Sequence, residues 1–366
     1  MKANSLLIIS FIVLLLGCSE KEYKQVSVQN PDFKPNILFE NFEDLTSPKI
    51  ADLRNKYQLD TVFHGETDEF KRIILLRHWI KCHIKIDLEN PNYSGKGAVE
   101  GILDAALQGE GFHCGHFATV QNGILNSYGY ITRFLGAGPG VPREFDPHHG
   151  TNEVWLNSYN KWMVIDAKYE HHFTKNDVPL SALDVREAFL NNSTADVVML
   201  KGPDQIPTEF DNEIGESKDA FIQTFTWITY QVNSDFYTAW PNHKETVLWY
   251  NDNFFKNNTW IRSGKPHWAY NNPGMLTLTE NRDAIDWTPN TIGSKVTVTG
   301  NEAQISLISD TPNFKEYQMK ELPSDLWQKV DKEIVLQLKG ENPTYVFRTV
   351  NLAGVTGPEH KIVFEY

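Results

Sequence analysis

Apolar and polar positions follow four patterns in succession along this 366-residue chain. The first is the apolar run "LLIISFIVLLLG" (residues 6–17), which follows "MKANS" and stops at the polar "SEKE". It is too short to span a bilayer comfortably and predicts a targeting segment over residues 1–18. Residues 19–35 are polar, contain Pro31 and Pro35, and predict a tether. The second pattern has helical spacing. Ser47 offers an N-cap with Pro48 at the first helical position. Thr67 or Asp68 starts a helix with acids in its first turn and a stripe through Phe70, Ile73, Ile74 and Ile80. Helical residues 98–108 lead into Gly109 and Gly111. A further helix starts near Cys114, with the stripe Phe117, Val120, Ile124 and Tyr128, and Gly129 follows at its C′ position.

The third pattern alternates. "YITRFLGA" predicts a strand, followed by the Pro- and Gly-rich loop "GPGVPREFDPHHG". "TNEVWLNSYNKWMVIDAKY" predicts a hairpin turning at "NSYN". With Asn157 opposite Asn160, Trp155 faces Trp162, Thr151 faces Asp166 and His149 faces Lys168. His149 and Asp166 are then diagonal neighbours on one face, about 7–8 Å apart at the backbone and within side-chain reach. The fourth pattern starts at residue 205. Residues 205–289 are an aromatic-rich segment of short strands and long loops. Residues 290–366 ("KVTVTG", "AQISLISD", "KEIVLQLKG", "TYVFRTVNLAG", "HKIVFEY") predict a small β-sandwich. The helices and the hairpin are thereby placed together in one unit, residues 36–204.

Composition adds bounds. The chain is 40% hydrophobic and 22% charged, as expected of a folded globular protein. Its net charge of −13 argues against nucleic acid or an anionic membrane surface as the main partner. Gly17-Cys18 directly after the apolar run resembles a bacterial lipobox. That resemblance implies cleavage before Cys18, lipidation of its thiol, and an exported chain anchored by lipid to the bacterial outer membrane or cell surface. An ordinary secretory signal with a chance cysteine is the alternative. Of the other two cysteines, Cys82 lies in an apolar-rich helical pattern that predicts a buried free thiol. A Cys82–Cys114 disulfide is the other option outside the cytosol.

Chemistry concentrates at "GFHCGHFATV". A helix N-terminus and a nearby imidazole both lower a thiol's pKa and make it a nucleophile. Cys114 has the first. The hairpin supplies His149 with Asp166 to orient it, completing a Cys-His-Asp arrangement for acyl transfer. Gln108, a few residues upstream, is a candidate oxyanion donor or simply a solvent-facing helix residue. His113, His116, His148, His149, His171 and His172 could instead hold a metal with Cys114, although no CxxC or HExxH spacing supports this. Six of the ten tryptophans fall between Trp227 and Trp287, where they could stack on sugars or pack between strands.

These residues resemble the transglutaminase-like superfamily of papain-related cysteine enzymes. Gly111, Cys114 and Ala118 carry the likeness, followed by Gly129 and Arg133, then His149, Asn152 and Glu153, then Trp162 and Asp166, over residues 65–175. The resemblance implies an α+β fold, with the nucleophile starting a helix packed on an antiparallel sheet that bears the His and Asp. Where the family has an aromatic two residues after the catalytic His, this chain has Thr151. A second histidine, His148, precedes that His; the intervals to "NEV" and Asp166 favour His149. The sequence thus predicts an α+β transglutaminase-like core with a C-terminal all-β immunoglobulin- or fibronectin-like sandwich. The expected activity is that of a cysteine hydrolase or acyltransferase on amide bonds. It would act on peptides, peptidoglycan stems or glycoproteins and need no metal or organic cofactor. The alternative is a catalytically silent surface lipoprotein that captures glycan or peptide.

Overall fold

A computed structural model describes residues 22–27, 30–87, 98–141, 148–262 and 273–365. Cys18 and the targeting segment lie outside the described residues. Residues 24–27, within the stretch expected as a tether, form strand β1 (Lys24–Ser27), paired antiparallel with the last strand of the chain.

Four helices then precede the central sheet. Helix α1 (Pro48–Lys56) has Ser47 as N-cap and Pro48 at its first position, as its sequence predicts. Helix α2 (Glu69–His83) is capped by Asp68, whose carboxylate accepts the Lys71 N–H at 2.9 Å. Helix α3 (Val99–Leu107) leads into helix α4 (Cys114–Ser127). Gly129, with φ of +77°, follows the cap residue of α4, a conformation that costs glycine no Cβ clash.

The sheet strands are β2 (Thr132–Gly138), β3 (His149–Leu156), β4 (Lys161–Asp166), β5 (His171–Lys175), β6 (Val198–Lys201), β7 (Trp227–Gln231), β8 (Val247–Tyr250) and β9 (Leu276–Thr279). Their spatial order is β6-β5-β4-β3-β2-β7-β8-β9. All neighbours are antiparallel except β8 and β9. Helix α5 (Ala182–Leu190) follows β5 in the chain.

The sheet is covered on both faces, which explains why its strands alternate less cleanly than a half-exposed strand does. Val154, Leu156, Met163 and Ile165 pack with Leu53, Ile73, Leu76, Ile102, Phe117 and Ile124 of the helices. Trp155, Trp162 and Val164 pack on the other face with Leu183 and Val185 of α5, Phe225 and Trp287. Phe117, Val120 and Ile124 are essentially fully buried. Each such side chain contributes about 1.5–3 kcal/mol on transfer from water. The aromatic segment continues this sheet: β7 extends it past β2, and Trp227, Trp249 and Trp287 are fully buried. Strand packing, not an open sugar platform, explains these three tryptophans.

The C-terminal strands are β10 (Gly293–Thr299), β11 (Glu302–Ile308), β12 (Phe314–Glu321), β13 (Gln328–Val330), β14 (Glu333–Gln337), β15 (Thr344–Asn351) and β16 (His360–Glu365). They form a three-stranded sheet, β10-β11-β14, and a five-stranded sheet, β1-β16-β15-β12-β13. One apolar cluster joins them, with Ala303, Ile305 and Leu307 from the first sheet and Tyr317, Tyr345, Phe347, Ile362 and Phe364 from the second.

Candidate active site

Cys114 is the first residue of α4, where the backbone N–H groups have no partner within the helix and the dipole favours negative charge. His113 caps the helix, its Nδ1 accepting the Gly115 N–H at 3.2 Å. The thiol is half-buried and therefore reachable.

The sheet presents the partners. Trp155 faces Trp162 as the hairpin register predicts, and the ladder runs to Asn152 opposite Ile165. It stops there. Residues 167–170 turn, and Asp166 pairs with His171 of β5, so the expected pairing of His149 with Lys168 does not form. His149 and Asp166 nevertheless meet as diagonal neighbours: the His149 Nε2 shares a short hydrogen bond with the Asp166 Oδ2. Asp166 Oδ1 also accepts the Tyr169 N–H at 2.7 Å. With Nε2 occupied, Nδ1 is the ring nitrogen left to face Cys114, whose ionised form the His113 ring, the His149 ring and the Gly150 N–H favour.

Gly150 permits this approach. A Cβ there would sit 3.2 Å from the Gly115 Cα, 3.3 Å from the Gly115 N and 3.2 Å from the Phe134 ring. The missing side chain lets the first turn of α4 rest against the strand, with His149 beside it.

The electrostatics follow. Burial pushes the Cys114 thiol up, but the His113 and His149 hydrogen bonds, the His149 charge and the Gly150 N–H outweigh it, leaving the thiol well below its ordinary range. Burial pulls His149 down, but the Asp166 charge and hydrogen bond, reinforced by Cys114, raise it to about 9. Burial opposes ionisation of Asp166, yet the His149 charge holds it below the usual carboxylate range. A thiolate–imidazolium pair is therefore the favoured state near neutrality.

The other candidates separate clearly. His148 is exposed, whereas His149 is buried against Asp166. Gln108 caps the C-terminus of α3, is exposed, and makes no side-chain hydrogen bond among the described residues. Cys82 is exposed rather than buried, is not bridged to Cys114, and sits 3.6 Å from the His78 Nε2. His116 is half-buried; burial and the neighbouring His113 pull it down to about 4. Among the described residues no group of three or more His, Cys, Asp or Glu side chains is arranged to hold a metal ion. Thr151 is buried and donates to the Ile165 carbonyl at 2.9 Å, tying β3 to β4 beside the site.

Sequence reasoning missed the support around His149. Tyr169 stacks on its ring at 5.4 Å and Phe221 meets it edge-on at 5.6 Å. The buried Lys168 donates to the Tyr169 hydroxyl at 2.8 Å. The turn directly after Asp166 was the available signal for Lys168 and Tyr169. Phe221, far along the chain, left none.

A helix-initiating thiol facing a His–Asp pair on an antiparallel sheet defines a fold of the cysteine-hydrolase type. Residues 57–167 match the family model of the transglutaminase-like superfamily, and the chain thus carries a transglutaminase-like domain. That span runs from the end of α1 to just beyond Asp166, so it holds Cys114, His149 and Asp166 together. No curated protein matches the chain.

Proposed function

We propose that the protein is a cysteine hydrolase or acyltransferase acting on amide bonds through Cys114, His149 and Asp166. The observation that carries this reading is the first turn of α4, which starts at Cys114, resting against Gly150, next to a His149 that is hydrogen-bonded to the Asp166 carboxylate. The Cys114 thiolate attacks the amide carbonyl carbon, and the C=O electron pair moves to oxygen. The Cys114 N–H at the helix start helps bind that oxyanion. As the tetrahedral carbon collapses, the C–N bond breaks and imidazolium His149 protonates the departing amine, leaving a thioester on Cys114. Water, deprotonated by His149, then cleaves the thioester, releasing a carboxylic acid and restoring the pair. Asp166 keeps the proton on the His149 Nε2 throughout. Gln108, exposed at the end of α3, has less support as an oxyanion donor than this backbone group.

The second reading, a silent scaffold that captures glycan or peptide, rests on the tryptophan-rich second half, three of whose tryptophans are fully buried, and on Thr151. That residue bonds strand to strand and does not interrupt the contacts among the three groups. We also infer that the two C-terminal sheets form an immunoglobulin- or fibronectin-like sandwich. Export and lipidation at Cys18 remain part of the proposal; β1 starts at Lys24, so the fold would sit close to the anchor.

The test is incubation of the mature chain with peptides, muropeptides and a glycoprotein, followed by acid quench and mass spectrometry. Expected are released amine and a transient thioester on Cys114. Binding without product or adduct contradicts the hydrolase and supports the silent scaffold.

A further inference from the structure

A cavity lies at the junction of the transglutaminase-like domain and the C-terminal sheets, lined by Arg72, Tyr128, Tyr130, Ser158 and the loop Ala353–Glu359. Its volume is about 520 Å³, which falls within the span of small-ligand sites, roughly 300–1,000 Å³. It is distinct from the thiol site. Tyr128 is the C-cap of α4, while Cys114 starts that helix, so about 20 Å of helix separates them at ~1.5 Å per residue.

Its walls are held in place. Asn351 donates from Nδ2 to the Gly129 carbonyl at 2.9 Å, and its Oδ1 accepts the Ala353 and Val355 N–H groups, each at 3.0 Å. The loop of one unit is thereby fixed against the end of α4 in the other. On the opposite wall, Glu69 accepts from the Asn157 side chain at 2.6 Å and the Ser158 N–H at 3.3 Å.

Two groups in this built frame are unused. Tyr130 is only 4% exposed and lines the cavity, yet among the described residues its hydroxyl has no hydrogen-bond partner. Arg72 lies face-on over the Phe63 ring at 3.9 Å, and its buried Nε has no acceptor. Among the described residues its guanidinium donates no hydrogen bond at all. Asp60 is near enough to feel its charge but hydrogen-bonds Arg54 and Tyr128 instead. The other charges facing the space are Arg54, Glu359 and Glu69, and they are satisfied by Asp60, by Lys320, and by the Asn157 side chain and Ser158 N–H.

A free guanidinium fork matches a carboxylate bidentately. The remaining surface offers hydroxyl and carboxylate groups, which suit a polyol and would repel a multiply charged phosphate. We propose that this cavity binds a sugar bearing one carboxylate, with Arg72 on the carboxylate and Tyr130 on a ring hydroxyl.

Titration calorimetry of the full chain with galacturonate, glucuronate and N-acetylneuraminate, and with galactose and glucose as neutral counterparts, tests this. At least one sugar acid is expected to bind with a Kd near or below ~1 mM, and its neutral counterpart at least about 10-fold more weakly. Arg72→Met should lose about 10-fold or more, and Tyr130→Phe several-fold with an unchanged Tm, because among the described residues its hydroxyl has no partner to lose. Cys114→Ala should bind as the unaltered chain does, which separates this cavity from the proposed chemistry. No binding of any acid up to about 50 mM, equal affinity for a neutral sugar, or wild-type affinity in a folded Arg72→Met chain would overturn the proposal. So would displacement by inorganic phosphate at equal concentration, or loss of binding in Cys114→Ala.

Discussion

Cys114→Ala is expected to lower amide turnover by about 10⁴-fold or more, with little change in Tm, because a triad acts as a unit and loses most of its rate when one member goes. The side chain is half-buried at a helix start, so its removal leaves no large core cavity. Asp166→Asn should also reduce turnover strongly, by up to ~10⁴-fold, since an amide there no longer stabilises the imidazolium form of His149. Rates measured on whichever amide the panel identifies, beside thermal melts of the same preparations, check both variants. Residual activity in Cys114→Ala within about 10-fold of the unaltered chain would place the chemistry elsewhere.

Arg133→Met should destabilise the fold by about 3–5 kcal/mol, because it strands a buried carboxylate. Arg133 and Glu153 are both fully buried. The Arg133 Nε and Nη2 donate to one Glu153 oxygen at 2.9 and 2.6 Å, while the other oxygen accepts the Ala182 N–H at 2.6 Å, at the start of α5. The guanidinium also donates to the Ile285 carbonyl at 2.6 Å and stacks 3.9 Å over Trp162. Burial raises Glu153, opposed by the Arg133 charge, so removing that charge leaves a group that protonates more readily. The double variant Arg133→Met/Glu153→Leu should recover only part of the loss, because the Ala182 N–H and Ile285 carbonyl keep no partner. Denaturant melts of both variants give the comparison. Full recovery would show that those two backbone contacts contribute nothing.

The legible part of this protein is its local part. Caps at Ser47 and Asp68, the start of α4 at Cys114 and the hairpin turn at Asn157–Asn160 depend on a few adjacent residues. All of them appear where the pattern puts them. The hairpin register put His149 within reach of Asp166, although the ladder itself stops at Asn152 opposite Ile165. What was lost depended on pairing and packing that the alternation of single strands does not record. The turn at 167–170 bends Lys168 out of the ladder and brings in Tyr169, because Asp166 finds His171 as a neighbour. β1 reads as polar linker since only an edge of it meets the core, through the nearby Tyr23. Residues 205–289 read as short strands and long loops; that β7 and β8 continue the central sheet was hidden because both are short and largely buried, without a polar face to mark an alternation. In β15 Tyr345 and Phe347 face the inter-sheet cluster, but Val346 and Val350 are buried as well, which hid the alternation that would have marked the inner face.

The most direct test of an activated thiol at Cys114 is the pH dependence of its alkylation by iodoacetamide, in a chain shortened to residues 19–366 and carrying Cys82→Ser. Cys114 is lowered and His149 is raised to about 9, so the thiolate–imidazolium pair spans the interval between them. Alkylation should already be fast well below about pH 8.5, where an ordinary thiol is still mostly protonated. A second change is expected as the pH rises through about 9 and His149 loses its proton. In Asp166→Asn the first inflection should move up, toward the ordinary thiol value. A single inflection near 8.5 in the unaltered chain, unmoved by Asp166→Asn, would contradict the account.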